Sequence, residues 1–175
     1  LADQAAHNKI VSFLNETNIP VLSEEGKHFP FSERKEWTTF WLVDPLDGTK
    51  EFVKRNGEFT VNIALVKNNI PVMGVIYVPV QDVMYYGFND KAFKVENFST
   101  KPEIHSLPIE YKREDFTIVG SRSHMSEETE LFFEKMKKIH GKLDLLAVGS
   151  SLKLCMVAEG KADVYPRYAP TMEWD

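Results

Sequence analysis

The sequence is short of several things, and each shortage removes a class of protein. Cys155 is its one cysteine, so no internal disulfide can form, which fits a reducing compartment. No apolar run approaches the ~20 residues of a membrane-spanning helix, and the longest blocks, such as Val72 to Val80, are strand-sized. Basic residues are outnumbered: 21 Lys and Arg stand against 26 Asp and Glu, a formal net charge of −5. A nucleic-acid polymer usually needs a basic face and is not an expected partner, whereas a small anion remains one if a metal or a local cationic cluster offsets the acids. Repeats and low-complexity tracts are missing. With 43% hydrophobic and 27% charged residues, the composition excludes disorder, collagen-like structure and coiled coil. A chain of this length buries about 70% of its unfolded surface, enough for one domain over residues 1–175.

What is present alternates between helix and strand signals. Residues 2–15 read as a helix, with Ala6, Ile10, Phe13 and Leu14 on its apolar face. Val21-Leu22 is a short buried strand leading into Ser23-Glu24-Glu25-Gly26, and residues 27–37 read as a polar loop. Thr38 to Val43 forms a strand stopped by Asp44-Pro45. Phe59 to Lys67 and Val72 to Val78 flank a hairpin linker of Asn68 to Pro71. Val83 to Phe88 and Ala92 to Val95 are strands separated by Asn89-Asp90, and residues 96–114 are expected to cross the surface. Phe116 to Val119, Leu143 to Val148 and Ala162 to Tyr165 read as strands. A helix starts near Ser126 with Phe132, Met136 and Ile139 as its stripe and ends at Gly141. Another is capped by Ser150 or Ser151 and closes at Gly160. Cys155, between Leu154 and Met156, is a core residue rather than a nucleophile. The order predicts a mixed α/β fold in packed layers.

The chemistry concentrates in Trp41 to Phe52. A buried strand delivers Asp44 to its end, and a tight turn can bring Asp47 to the same point. Gly48 and Thr49 then offer backbone N–H groups suited to a phosphate oxygen. Two converging carboxylates repel unless a hard cation lies between them, and Mg²⁺ prefers such oxygen ligands. Asp-Pro-x-Asp-Gly is also good turn chemistry with no ligand at all, and the residues alone leave both readings open. Glu24-Glu25 and Trp174-Asp175 are further acids that could join. Asp3 opens the first helix, where it either complements the dipole or accepts a proton from a water at the metal. A second polar cluster comprises Ser121-Arg122-Ser123-His124, Gly149-Ser150-Ser151-Leu152-Lys153 and Arg167. It forms one anion-holding rim if the strands that carry it are neighbours, and separate caps or solvated charges if they are not.

Asp44-Pro45-Leu46-Asp47-Gly48-Thr49, with Glu24-Glu25 upstream and Trp174-Asp175 downstream, resembles the lithium-sensitive, Mg²⁺-dependent phosphatase family that includes inositol monophosphatase. Gly48 to Phe52, Arg55 to Asn62, Ser121 to His124 and Gly149 to Lys153 are similar to its bacterial bisphosphate-nucleotidase branch. The resemblance covers the whole chain and implies a layered α/β/α/β/α sugar-phosphatase-like fold, here incomplete at both ends. The family's opening helix and closing strand-and-helix segment would be missing. It implies Glu24, Asp44, Asp47, Asp175 and the carbonyl of Leu46 as metal ligands for two or three Mg²⁺ ions. Asp3 and Thr49 would activate the attacking water. The reacting end of the substrate would meet Glu24, Leu46, Asp47, Gly48, Thr49 and Asp175. Its far end would meet Ser121, His124, Ser151 and Lys153, with Arg167 added from its charge and position. The implied reaction is hydrolysis of adenosine 3′,5′-bisphosphate to AMP and phosphate, linked to sulfate assimilation, in the cytoplasm or at most peripheral to the inner membrane face. A phosphatase for inositol monophosphate or a sugar bisphosphate would share the metal motif. A silent nucleotide- or metal-sensing module would be favoured only if Asp3 or Thr49 were missing.

Overall fold

The computed structural model describes residues 1–120 and 126–174. Its elements run α1 (Ala2–Leu14), β1 (Val21–Ser23), α2 (Phe31–Arg34), β2 (Thr39–Asp47), α3 (Thr49–Lys54), β3 (Thr60–Lys67), β4 (Ile70–Val78), β5 (Val83–Phe88), β6 (Lys91–Glu96), β7 (Glu103–Ser106), β8 (Phe116–Gly120), α4 (Glu127–His140), β9 (Leu143–Ala147) and α5 (Leu152–Glu159). Strands β1 to β7 form one sheet in sequence order, parallel between β1 and β2 and antiparallel thereafter. Local chemistry explains the regularity. Asn68-Asn69 and Asn89-Asp90 all take positive φ, the left-handed conformation that two-residue hairpin turns require and that Asn and Asp tolerate. A second sheet pairs β8 with β9 in parallel, and Val164 adds an isolated bridge to Ile118.

These elements stack as α/β/α/β/α. Helix α1 lies on β1 and β2, on the face where Trp41 Nε1 donates to Thr17 Oγ1. On the other face, Leu152 and Cys155 of α5 form a core with Val78, Val83 and Tyr85. Helix α5 also packs on β8, and α4 covers the far side of the small sheet, where His140 stacks on Phe116. The layered α/β expectation is met.

Several local expectations change. The strand around Asp44 does not stop at Pro45 but runs on to Asp47 through a bulge, because the extra residue accommodates a proline that cannot donate to the ladder. The polar stretch 27–37 holds the helical turn α2, and 96–114 contributes β7 as an edge strand. Ala162 to Tyr165 is a single bridge rather than a strand. Phe13 and Ile139 face solvent; Val11 and Phe133 turn inward beside their expected neighbours.

Candidate active site

Parity along β2 decides where its acids point. Side chains alternate across a strand, so residues three apart should lie on opposite faces. Here Asp44 pairs with Asn62 and Asp47 with Thr60, which sets three steps on β2 against two on β3. The bulge restores the phase, and both carboxylates project to the face that carries Thr60 and Asn62. Strand β1 runs parallel to β2, with Ser23 opposite Val43, and Glu24 N–H donates to Val43 O. The next step of that ladder sets Glu24, rather than Glu25, beside Asp44.

The electrostatics of the cluster are unfavourable without a cation. Asp44 is 1% exposed. Burial, the charge of Glu24 and the charge of Asp47, in that order, push its carboxyl up to about 8; the Leu46 N–H bond to Asp44 Oδ1, at 3.0 Å, opposes them. Asp47 is anchored differently: its Oδ2 accepts from Ser151 N–H at 2.5 Å and lies 3.5 Å from Thr60 Oγ1. Among the described residues, no three His, Cys, Asp or Glu side chains form a metal-binding group by themselves. Asp175, a ligand in the expected set, lies outside the described residues. The donors present are carboxylates and the backbone carbonyl of Leu46 between Asp44 and Asp47. That oxygen chemistry, with an acid pushed towards neutrality by burial and by its neighbours' charge, fits Mg²⁺.

Beyond Asp47 the chain turns through Gly48 at φ 92° into α3, which Thr49 opens in an exposed position. A Cβ on Gly48 would come within 3.2 Å of both Glu58 O and Ser150 Cβ, so only glycine fits where two other segments close in. The third segment is the loop before α5. Gly149 N–H donates to Glu58 Oε2 at 2.9 Å, and a Cβ there would lie 2.7 Å from Glu51 Cγ. The rim segment 149–153 therefore sits against the carboxylate turn, as its motif suggested.

The remaining expected residues divide. Lys153 is 7% exposed; its Nζ donates to Ser150 O at 2.5 Å and lies 5.6 Å from the Tyr165 ring centroid. The Ser151 hydroxyl turns inward to Thr60 and Asn62, so what this residue shows the site is its backbone N–H on Asp47. Asp3 shares a helix face with His7, which bonds Ser23 Oγ at 2.8 Å beside the Glu24 turn. Its carboxylate accepts from Gln4 N–H, and it shares no hydrogen bond with Thr49. Arg167 donates to Tyr165 Oη and Pro170 O on the surface. Ser121 and His124 lie outside the described residues. Sequence reasoning missed Glu58, Thr60 and Asn62 as site components. A signal for the last two was present, since polar residues two apart in an apolar strand must share one face.

A sequence model of the inositol monophosphatase family matches residues 1–175. Two curated relatives are 3′(2′),5′-bisphosphate nucleotidases CysQ: that of Buchnera aphidicola, 45% identical over 175 residues, and that of Salmonella typhimurium, 46% identical over 176. Each match takes in 99% of this chain. Among solved structures, CysQ from Bacteroides thetaiotaomicron aligns with a TM-score of 0.90 and 53% identity over 99% of this chain. The chain spans 63% of the Buchnera protein's own length and 68% of the other two.

Proposed function

The chain belongs to the inositol monophosphatase family, and from that premise we propose that the protein is a Mg²⁺-dependent phosphatase that hydrolyses adenosine 3′,5′-bisphosphate to AMP and phosphate. The observation that carries this reading is the bulge in β2, which turns Asp44 and Asp47 to one face beside Glu24 and next to a glycine-opened turn. The nucleotidase assignment is supported by the relatives named CysQ.

In this reading Asp44, Asp47, Glu24, Asp175 and the Leu46 carbonyl hold two or three Mg²⁺ ions. Bound there, Mg²⁺ supplies positive charge to the phosphate and Lewis acidity to the attacking water. The chain's own residues do the rest. Gly48 and Thr49 present N–H groups to the phosphate oxygens, which fixes the phosphorus for in-line attack. The Thr49 hydroxyl and Asp3 orient the water and take its proton. Lys153, with Ser121 and His124, faces the second phosphate and the nucleoside, and Ser151 joins that rim through its backbone. No side-chain nucleophile is required, because the motif places none beside the phosphate. Among the described residues, no helix is long and apolar enough to cross a membrane, and we place the reaction in the cytoplasm.

The test is kcat/KM with adenosine 3′,5′-bisphosphate, inositol monophosphate and a sugar bisphosphate, with and without Mg²⁺, on the protein at its full natural length. Mg²⁺-dependent turnover that favours the nucleotide supports the proposal. Preference for inositol monophosphate would move the protein to another branch of the family, and turnover indifferent to Mg²⁺ would remove the metal reading.

A further inference from the structure

Behind Asp47 lies a chain of buried polar groups that the proposed reaction does not use. Thr60 is 0%, Ser151 5% and Asn62 9% exposed. Ser151 Oγ stands 2.8 Å from Thr60 Oγ1 and 2.8 Å from Asn62 Oδ1, while Thr60 Oγ1 lies 3.5 Å from Asp47 Oδ2. The two hydroxyls have one proton each, for three contacts. With the Asn62 oxygen towards Ser151, the Ser151 proton goes to Asn62 and the Thr60 proton to Ser151, so none reaches Asp47. Among the described residues, Asn62 Nδ2 is then buried with no partner.

An amide's oxygen and nitrogen are nearly equal in shape, and the hydrogen-bond network assigns them. Turning the Asn62 amide by half a rotation gives every contact one proton. Asn62 Nδ2–H donates to Ser151 Oγ, Ser151 O–H to Thr60 Oγ1, and Thr60 O–H to Asp47 Oδ2. The orphaned donor is replaced by an under-satisfied carbonyl, the more tolerable of the two.

We propose that Asn62, Ser151 and Thr60 form a one-directional hydrogen-bond relay ending on Asp47, and that they are positioning residues for that carboxylate. With the Ser151 N–H, the relay delivers two donors to one carboxylate oxygen, which fixes the carboxylate's rotation. It also ties the 149–151 loop to Asp47, so that the substrate rim and the metal carboxylate keep one relative position. This inference rests on the reading of Asp47 as a Mg²⁺ ligand.

The test is calorimetric titration of Mg²⁺ into the protein at its full natural length, with thermal melting to establish folding. Thr60→Val, which keeps the shape and loses the hydroxyl, should weaken Mg²⁺ binding by about tenfold, the usual scale for an outer partner of a metal ligand. Thr60→Ser, which keeps the hydroxyl, should restore most of it. Ser151→Ala leaves the Thr60 O–H able to donate to Asp47, so it should weaken binding less than Thr60→Val, and the double variant no further than Thr60→Val alone. If Thr60→Val fails to fold, Thr60→Ala set against Thr60→Ser carries the comparison. Parent-like affinity in Thr60→Val, or an equal loss in Thr60→Ser and Thr60→Val, would overturn the relay. Asp47→Asn separates the two levels: if it also binds Mg²⁺ normally, the metal reading itself has failed and the relay falls with it.

Discussion

Asp44 and Glu159 are both almost completely buried, and both meet the same row of the large sheet. Asp44, Asn62, Ile76, Tyr85 and Lys94 are successive ladder partners and share one face. Helix α5 crosses that row. Its eight residues span about 12 Å, close to the roughly 10 Å that separates β3 from β5. Ser151 therefore meets Thr60 and Asn62 at one end, and Glu159 meets Tyr85 and Lys94 at the other. The two acids are treated in opposite ways. Burial alone would raise the Glu159 pKa, yet Lys94 at 2.8 Å, Tyr111 at 2.5 Å, Tyr85 at 2.8 Å and Lys161 at 3.0 Å hold it down at about 2. Asp44 meets the same burial with two further negative charges, and its pKa rises to about 8. Among the described residues no cationic side chain pairs with it. A buried acid whose cations come from the chain is scaffold; one set among other acids is a place for a cation from outside.

The contrast breaks most sharply at the bulge. Asp44→Asn or Asp47→Asn should lower kcat/KM by about a hundredfold or more, since each removes a charge that holds Mg²⁺. Asp44→Asn should also raise the melting temperature of the Mg²⁺-free protein, because it removes a buried acid with no cation. Near-normal turnover at limiting Mg²⁺ in either variant would contradict the assignment. At the other end of the row, Lys94→Met should cost about 3 kcal/mol of stability by leaving Glu159 under-neutralised. Turnover per folded molecule should not change, which denaturant unfolding and active-site-normalised kinetics would separate.

Lys153→Ala sharpens the substrate side. Loss of a partly desolvated cation opposite a second phosphate should lower kcat/KM for adenosine 3′,5′-bisphosphate by about tenfold. A monophosphate should suffer much less, and an equal loss on both would assign Lys153 to the reacting phosphate or to the fold. A further effect is on the pH dependence of stability. The folded value of Asp44 lies above its unfolded value, so its contribution is complete below about 4 and is lost as pH rises through about 8. Glu159 has the opposite sign: its contribution is present above about 4.5 and is lost as pH falls through about 2. Without Mg²⁺, denaturation midpoints should therefore decline from about pH 5 to about pH 9, and Asp44→Asn should flatten that decline.

Much of this arrangement is legible in the residues because local chemistry dictates it. The asparagine-rich turns, the Ser126 cap with Thr129 N–H donating to its Oγ, and Gly160 at φ 92° closing α5 all follow from single residue types. The bulge was not legible. Pro45 suggests that a ladder ends, and only the pairing of Asp47 with Thr60 shows that it resumes one residue out of phase. The proximity of Asp44 to Asp47 was anticipated as a turn and arises as a parity correction instead. The inward rotation of the Ser151 hydroxyl depends on partners 89 or more residues away, and the Glu159 network on Tyr111, Lys94 and Tyr85, 48 or more residues away. Tyr85, Lys94 and Glu159 read singly as an ordinary strand tyrosine, strand lysine and helix-end acid. Nothing local links them, because the link is α5 lying across the sheet.

The most direct test of the central claim is proton release when Mg²⁺ binds, measured by titration calorimetry in buffers of different ionisation enthalpy. An acid held protonated by burial and by its acidic neighbours must give up that proton to take a cation. At pH 7 about one proton should leave per protein as the Asp44 site fills, and at about pH 9.5 almost none. Asp44→Asn should abolish the release at pH 7. Tight Mg²⁺ binding with no proton released at pH 7 would contradict the account, and so would a release that survives Asp44→Asn.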